Sequence, residues 1–146
     1  MRTLASVGKY FVSHVDDKIF LHLFAQGVFN VPLDDGEVRL ELQTGYPWDG
    51  KVCIRVDCAA NQEFTLFIRK PGWCSRAGLR VSGIEVDYSS SVEKGYIKIR
   101  RKWSSGDAVV FDMDMPVERV YAHPEVRHDA GRIALQRGPL LYCLEE

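Results

Sequence analysis

Phe64, Leu66 and Ile68 alternate with Thr65, Phe67 and Arg69, which is the two-residue period of a β-strand. Phe67 makes the second face partly apolar, so this segment is expected to be a central strand covered on both sides. Pro71-Gly72 ends it, because proline cannot donate to a ladder and glycine allows a sharp turn. Trp73 follows the turn, either as a plug for one end of a core or as a platform on which a sugar stacks. The same period recurs along the chain. Residues 19–25 read as an apolar strand with both faces covered. Val38, Leu40 and Leu42 alternate with polar residues, and so do Val52, Ile54 and Val56. Shorter runs follow at 79–81, 84–86, 96–103, 109–113, 117–121, 132–136 and 140–144. Turn signals separate them at Asp16-Asp17, Tyr46-Pro47-Trp48-Asp49-Gly50, Ser82-Gly83, Ser105-Gly106-Asp107 and Arg137-Gly138-Pro139. Residues 26–36, with Pro32, Asp34, Asp35 and Gly36, read as a loop.

About nine or ten short strands at near-regular spacing predict an all-β chain, an antiparallel β-sandwich of jelly-roll type. One short N-terminal helix precedes them. From Met1 to about Val12, the residues Leu4, Val7, Tyr10 and Phe11 recur at helical spacing. A helix this short is marginal alone and needs a surface to pack on.

Composition narrows the function classes. A chain of 146 residues can bury one real core. Its formal charge is −1 with both signs interspersed, and Arg100-Arg101-Lys102 is too short for a nucleic-acid footprint, so no nucleic-acid partner is expected. No apolar run reaches the length of a membrane span, so no membrane partner is expected either. Arg2 is not followed by an apolar stretch fit for a signal peptide, which fits a cytoplasmic protein or, equally, a piece of a longer chain. Cys53, Cys58, Cys74 and Cys143 form no CxxC pair and read as reduced thiols. Cys53 and Cys58 would face opposite sides of an unbroken strand, which argues against a shared metal or a bridge.

Candidate chemistry is sparse. Asp112 and Asp114 lie two apart on one strand face, roughly 7 Å between side-chain bases, a separation that suits an inverting carboxylate pair. Catalytic carboxylates usually converge from different elements, so a solvated strand face is the simpler reading. His123 and His128 share a loop with Glu125 and Asp129, either a metal site or a polar surface. There is no HExxH, no nucleophile elbow and no phosphate loop. The residues alone offer no catalytic constellation and no cofactor site.

Several stretches point further. They are 4–10 (Leu-Ala-Ser-Val-Gly-Lys-Tyr), 46–52 (Tyr-Pro-Trp-Asp-Gly-Lys-Val), 68–74 (Ile-Arg-Lys-Pro-Gly-Trp-Cys), Gly95-Tyr96-Ile97 with Trp103 and Gly106-Asp107, Met115-Pro116-Val117, and 129–145, which contains Gly-Arg-Ile-Ala-Leu-Gln-Arg-Gly-Pro. Together they resemble the β-L-arabinofuranosidase-like glycoside hydrolases of family 127, over the whole chain. The resemblance implies an (α/α)₆ catalytic barrel carrying a cysteine nucleophile and a zinc site of cysteines and a glutamate. The last of those motifs, a Cys-Cys-Pro-Pro-Asn stretch, has no counterpart here. None of the four cysteines matches it, so no catalytic or metal residue is carried over, and zinc is expected only in the barrel.

The resemblance makes residues 1–13 the end of the last helix of a barrel not contained in this chain, and 14–146 the sandwich that follows it. Two functions come with it. One is a non-catalytic accessory domain that braces the barrel, the barrel then being its partner. The other is a carbohydrate-binding module that contacts a glycan through Tyr46, Trp48, Asp49 and Trp73. Coplanar rings on an open face would mark a binding module, and buried rings a brace. Asp49 is expected to cap amides of its turn, and Trp48 to lie against the sandwich or the barrel. The apolar side of the N-terminal helix is expected either to fold back on the sandwich or to pair with a second copy of the chain, with self-association preferred.

Overall fold

The computed structural model describes residues 7–129 and 132–142. Fourteen strands follow one another there: β1 (Val12–Val15), β2 (Lys18–Leu21), β3 (Gly27–Leu33), β4 (Gly36–Thr44), β5 (Lys51–Asp57), β6 (Gln62–Arg69), β7 (Ala77–Val81), β8 (Ile84–Glu85), β9 (Val92–Glu93), β10 (Tyr96–Trp103), β11 (Ala108–Met113), β12 (Val117–Tyr121), β13 (Ile133–Arg137) and β14 (Leu140–Tyr142). They form a five-stranded sheet in the order β1-β2-β6-β10-β9, a six-stranded sheet β3-β4-β5-β11-β7-β8, and a three-stranded sheet β12-β13-β14. Every pairing is antiparallel except β2 with β6. The chain is all-β, as its alternation predicts.

The larger sheets bury their facing sides. Ile19, Leu21, Phe64, Leu66, Ile68 and Ile97 from one sheet and Leu40, Leu42, Val52, Ile54, Val109 and Phe111 from the other belong to one core with no measurable exposure. Trp103 closes one end of it. Its ring stacks on Phe64 at 5.3 Å, and its indole N–H donates to the Phe64 carbonyl at 3.0 Å, so the large ring is buried without an orphan donor. β6 lies in the middle of its sheet, as expected, and Phe67 on its second face is only 7% exposed.

Two expectations are corrected. The described part of the N-terminal segment holds a single 3₁₀ turn, Val7–Tyr10, and no α-helix; residues 1–6, with Leu4, lie outside the described residues. From Val12 the chain zips onto β2, Val12 opposite Leu21 through Val15 opposite Lys18, and Phe11 stacks on Phe29 at 6.1 Å. Ladder bonds and an apolar seat for Phe11 win over a short helical turn whose valines favour extended backbone. The described part of the segment thus folds back on the sandwich, while Val7 and Tyr10 stay exposed. The second correction concerns 26–36, which is not a loop. It forms β3 and the turn into β4. Pro32 is tolerated because β3 is an edge strand, where a missing N–H costs no ladder bond.

Candidate functional site

The 45–50 turn is built by its own side chains. Tyr46-Pro47 is a cis peptide. The Gly45 carbonyl accepts from the amides of Trp48 at 2.9 Å and Asp49 at 3.4 Å. Thr44 Oγ1 accepts from the Tyr46 amide at 3.0 Å and donates to the Lys51 carbonyl at 2.7 Å. Asp49 Oδ1 accepts from the Lys51 amide at 2.9 Å, so Asp49 caps the turn as expected. Gly50 is held against β11. A Cβ at that position would sit 1.9 Å from the Met113 carbonyl oxygen, and Met113 N donates to the Gly50 carbonyl at 3.0 Å.

The aromatic candidates separate. Tyr46 is half-buried and stands edge-on to Phe24 at 5.4 Å, with Phe24 part of the core. Burial pushes its phenol above the ordinary value. A hydrogen bond with the Trp73 side chain and the Arg69 charge pull the other way. Tyr46 and Trp73 therefore meet across the chain, and Trp73 is half-buried against the core. Trp48 is 68% exposed. Its ring does not lie against the sandwich, and its carbonyl accepts from Arg137 Nη1 at 2.8 Å. Among the described residues no ring pair includes Trp48 or Trp73.

Asp114 pairs with Arg76 at 2.7 Å, and Asp112 shares an open groove of about 510 Å³ with Arg76, Arg80 and Glu85. The Glu125 amide donates to His123 Nδ1 at 3.4 Å. Cys74 is buried, its thiol directed to the Arg76 carbonyl and raised by that burial. Burial likewise raises Cys58, with Asp107 and Asp57 adding to the effect. Cys143 lies outside the described residues. Among the described residues no three His, Cys, Asp or Glu converge on a metal position.

The outer face of the five-stranded sheet carries a cluster the sequence only hinted at. Phe20 stacks on Phe67 at 4.5 Å, and Tyr96 meets Phe20 edge-on at 5.9 Å. The His22 ring bridges Ser13 Oγ and the Tyr96 hydroxyl, each at 2.7 Å. Burial, then the Arg69 charge, lowers the His22 pKa below its ordinary 6.5. Lys18, Lys98 and Glu93 rim this aromatic floor, which bounds a hollow of about 450 Å³. The signals for it were Phe67, an aromatic residue on the second face of the central strand, and the run 19–25, whose Phe20 and His22 lie on one side of a strand read as covered on both faces.

Sequence families can now be set beside this geometry. Residues 18–115 match the GH127 middle domain of β-L-arabinofuranosidase, and residues 117–146 match the glycoside hydrolase family 127 C-terminal domain. The chain belongs to glycoside hydrolase family 127. A GH127 β-L-arabinofuranosidase from Geobacillus stearothermophilus T6 is 45% identical with a TM-score of 0.92, over 99% of this chain and 23% of that one. A GH127 β-arabinofuranosidase structure is 32% identical with a TM-score of 0.90, over 99% of this chain and 25% of that one. The non-reducing end β-L-arabinofuranosidase of Bifidobacterium longum subsp. longum is 29% identical over 99% of this chain and 22% of its own length. This family 127 chain thus spans about a quarter of the relatives it matches. Its described residues do not fit the zinc set that the resemblance implies for the barrel. Cys53, Cys58 and Cys74 join no metal-holding group among the described residues.

Proposed function

We propose that this chain is a non-catalytic accessory sandwich of a β-L-arabinofuranosidase-like enzyme and that it braces the catalytic barrel. The outer face of the five-stranded sheet carries the reading. A sheet face meant for water alternates polar residues, yet here Phe20, Phe67 and Tyr96 form a stacked aromatic floor. Such a floor offers apolar area to a neighbouring domain, and its lysine rim offers charge. Zinc, in this reading, is held by the barrel's own residues. The test replaces the matched segment of the Geobacillus enzyme with this chain. The chimera should keep its activity, and Lys98→Glu on the exposed rim should lower the melting temperature of the catalytic part while leaving that of the isolated chain unchanged. The chain alone should release no arabinose from an arabinofuranoside, with or without zinc. Zinc-dependent release by the chain alone would overturn the reading.

A second reading is favoured by the exposure of Trp48. In it, Trp48 with Tyr46, Asp49 and Trp73 contacts a glycan. Calorimetry with arabinan oligosaccharides decides, because Trp48→Ala would then abolish a measurable affinity and leave the fold intact.

A further inference from the structure

We propose that the mouth of the sandwich beside Gln62 is a binding site for a hard divalent cation, calcium by preference, that staples the two larger sheets together. Gln62 opens β6 on the inward side, in line with Phe64, Leu66 and Ile68. It is 7% exposed, and both polar atoms of its side chain are buried with no hydrogen-bond partner. No protein atom satisfies this buried amide, and a native fold normally supplies such a group with a partner from outside its own side chains.

The space in front of Gln62 shows which partner suits it. A cavity of about 180 Å³ is lined by this residue and by two acidic turns. Asp16-Asp17 joins β1 to β2 in the five-stranded sheet, and Asp34-Asp35 joins β3 to β4 in the six-stranded one. Glu63 also lines the cavity but is paired with Arg100 at 3.1 Å. No ion pair between described residues neutralises the four aspartates. Like charges gathered at one opening repel, and a cation removes the repulsion and accepts the Gln62 carbonyl oxygen together.

The donor chemistry selects the ion. No histidine or cysteine lines the cavity, which disfavours zinc and other soft or borderline metals. Carboxylate, amide and main-chain oxygens suit calcium, which takes six to eight of them in loose geometry, better than magnesium, which demands a regular octahedron. Three carboxylates do not already converge there. The aspartates sit exposed on turns, and binding requires one from each turn to swing in to the ion. The site owes nothing to the bracing role and stands or falls separately from it.

The test uses the 146-residue chain freed of metal with a chelator. Calcium chloride should raise its melting temperature saturably, beyond sodium chloride at equal ionic strength, and calorimetry should give one ion per chain with affinity in the range of extracellular calcium modules. Magnesium should do less. The double variant Asp34→Asn/Asp35→Asn, confined to an exposed turn, should lose the calcium shift. Gln62→Leu should lose most of it, while the calcium-free variant melts no lower than the parent. No shift beyond sodium chloride in the millimolar range, or a full shift in the double variant, would overturn the proposal.

Discussion

The two-sheet sandwich and the three-stranded sheet of β12, β13 and β14 obey different rules. Among the described residues every buried apolar side chain lies between Ile19 and Met115. In the three-stranded sheet all five residues of β12 are exposed, and Val117, Tyr121 and Leu141 each show 64% of their surface. The sandwich holds itself together by enclosing a core. The small sheet has ladder bonds but no enclosed face, and three strands without a covered apolar side are marginal in water. Two contacts between described residues tie it to the sandwich. Arg137 donates to the Trp48 carbonyl, and Gly138 lies close against Met115, where a Cβ would come within 3.0 Å of the sulfur. The family boundary between residues 115 and 117 falls at this change of regime.

The contrast is sharpest at Trp103. Trp103→Ala removes a fully buried ring and its hydrogen bond, and should cost about 3–5 kcal/mol in urea unfolding. Tyr121→Ala in the small sheet should stay within about 0.5 kcal/mol. Equal losses at the two positions would break the distinction.

Gly50→Ala should come next, at about 1–3 kcal/mol, because the new methyl group meets main chain that cannot swing aside. Equilibrium unfolding measures it. Arg137→Ala should act on the other region alone. Amide hydrogens of β12–β14 should exchange faster while the sandwich melts at an unchanged temperature. If sandwich amides also lose protection, the two regions are one cooperative unit.

The smallest effect expected is a pH dependence at His22. Its pKa is lowered in the folded chain, chiefly by burial, so the unfolded chain takes up the proton first as pH falls. The stability it supports is complete above its ordinary 6.5 and declines as pH drops through 6.5 towards the lower folded value. His22→Gln should flatten the melting-temperature profile across that interval. An unchanged profile would remove His22 from the account.

The sandwich was legible because alternation survives in most of its strands. Phe64, Leu66 and Ile68 announced a central strand, and the hairpin turn at Ser82-Gly83 carries two positive-φ residues where it was read. β3 escaped because Pro32 and Asp34-Asp35-Gly36 spell a loop, and only the edge position of the strand reconciles them with pairing. β1 escaped because Val12–Val15 is too short a run to announce a strand after a segment whose Val7, Tyr10 and Phe11 satisfy a helical spacing, and tertiary pairing with β2 decided. At the candidate site, Asp49 could be read as a cap because its partner is two residues away. The meeting of Tyr46 with Trp73 could not, since nothing local in sequence joins them. The burial of Gln62 was not legible either, because it depends on turns contributed by both sheets.

The parallel pairing of β2 with β6 has a consequence for how the chain reaches this fold. The β1–β2 hairpin is made before the rest of the sandwich, but its neighbour in the sheet is made only after β3, β4 and β5, which belong to the other sheet. Until β6 arrives, one edge of β2 is an unpaired ladder with Ile19 and Leu21 beside it, the kind of edge that invites pairing with other chains. Closing so long a loop is slow. The nascent sandwich therefore carries its first hairpin through a waiting period, and the rate of forming β6 sets how long aggregation can compete.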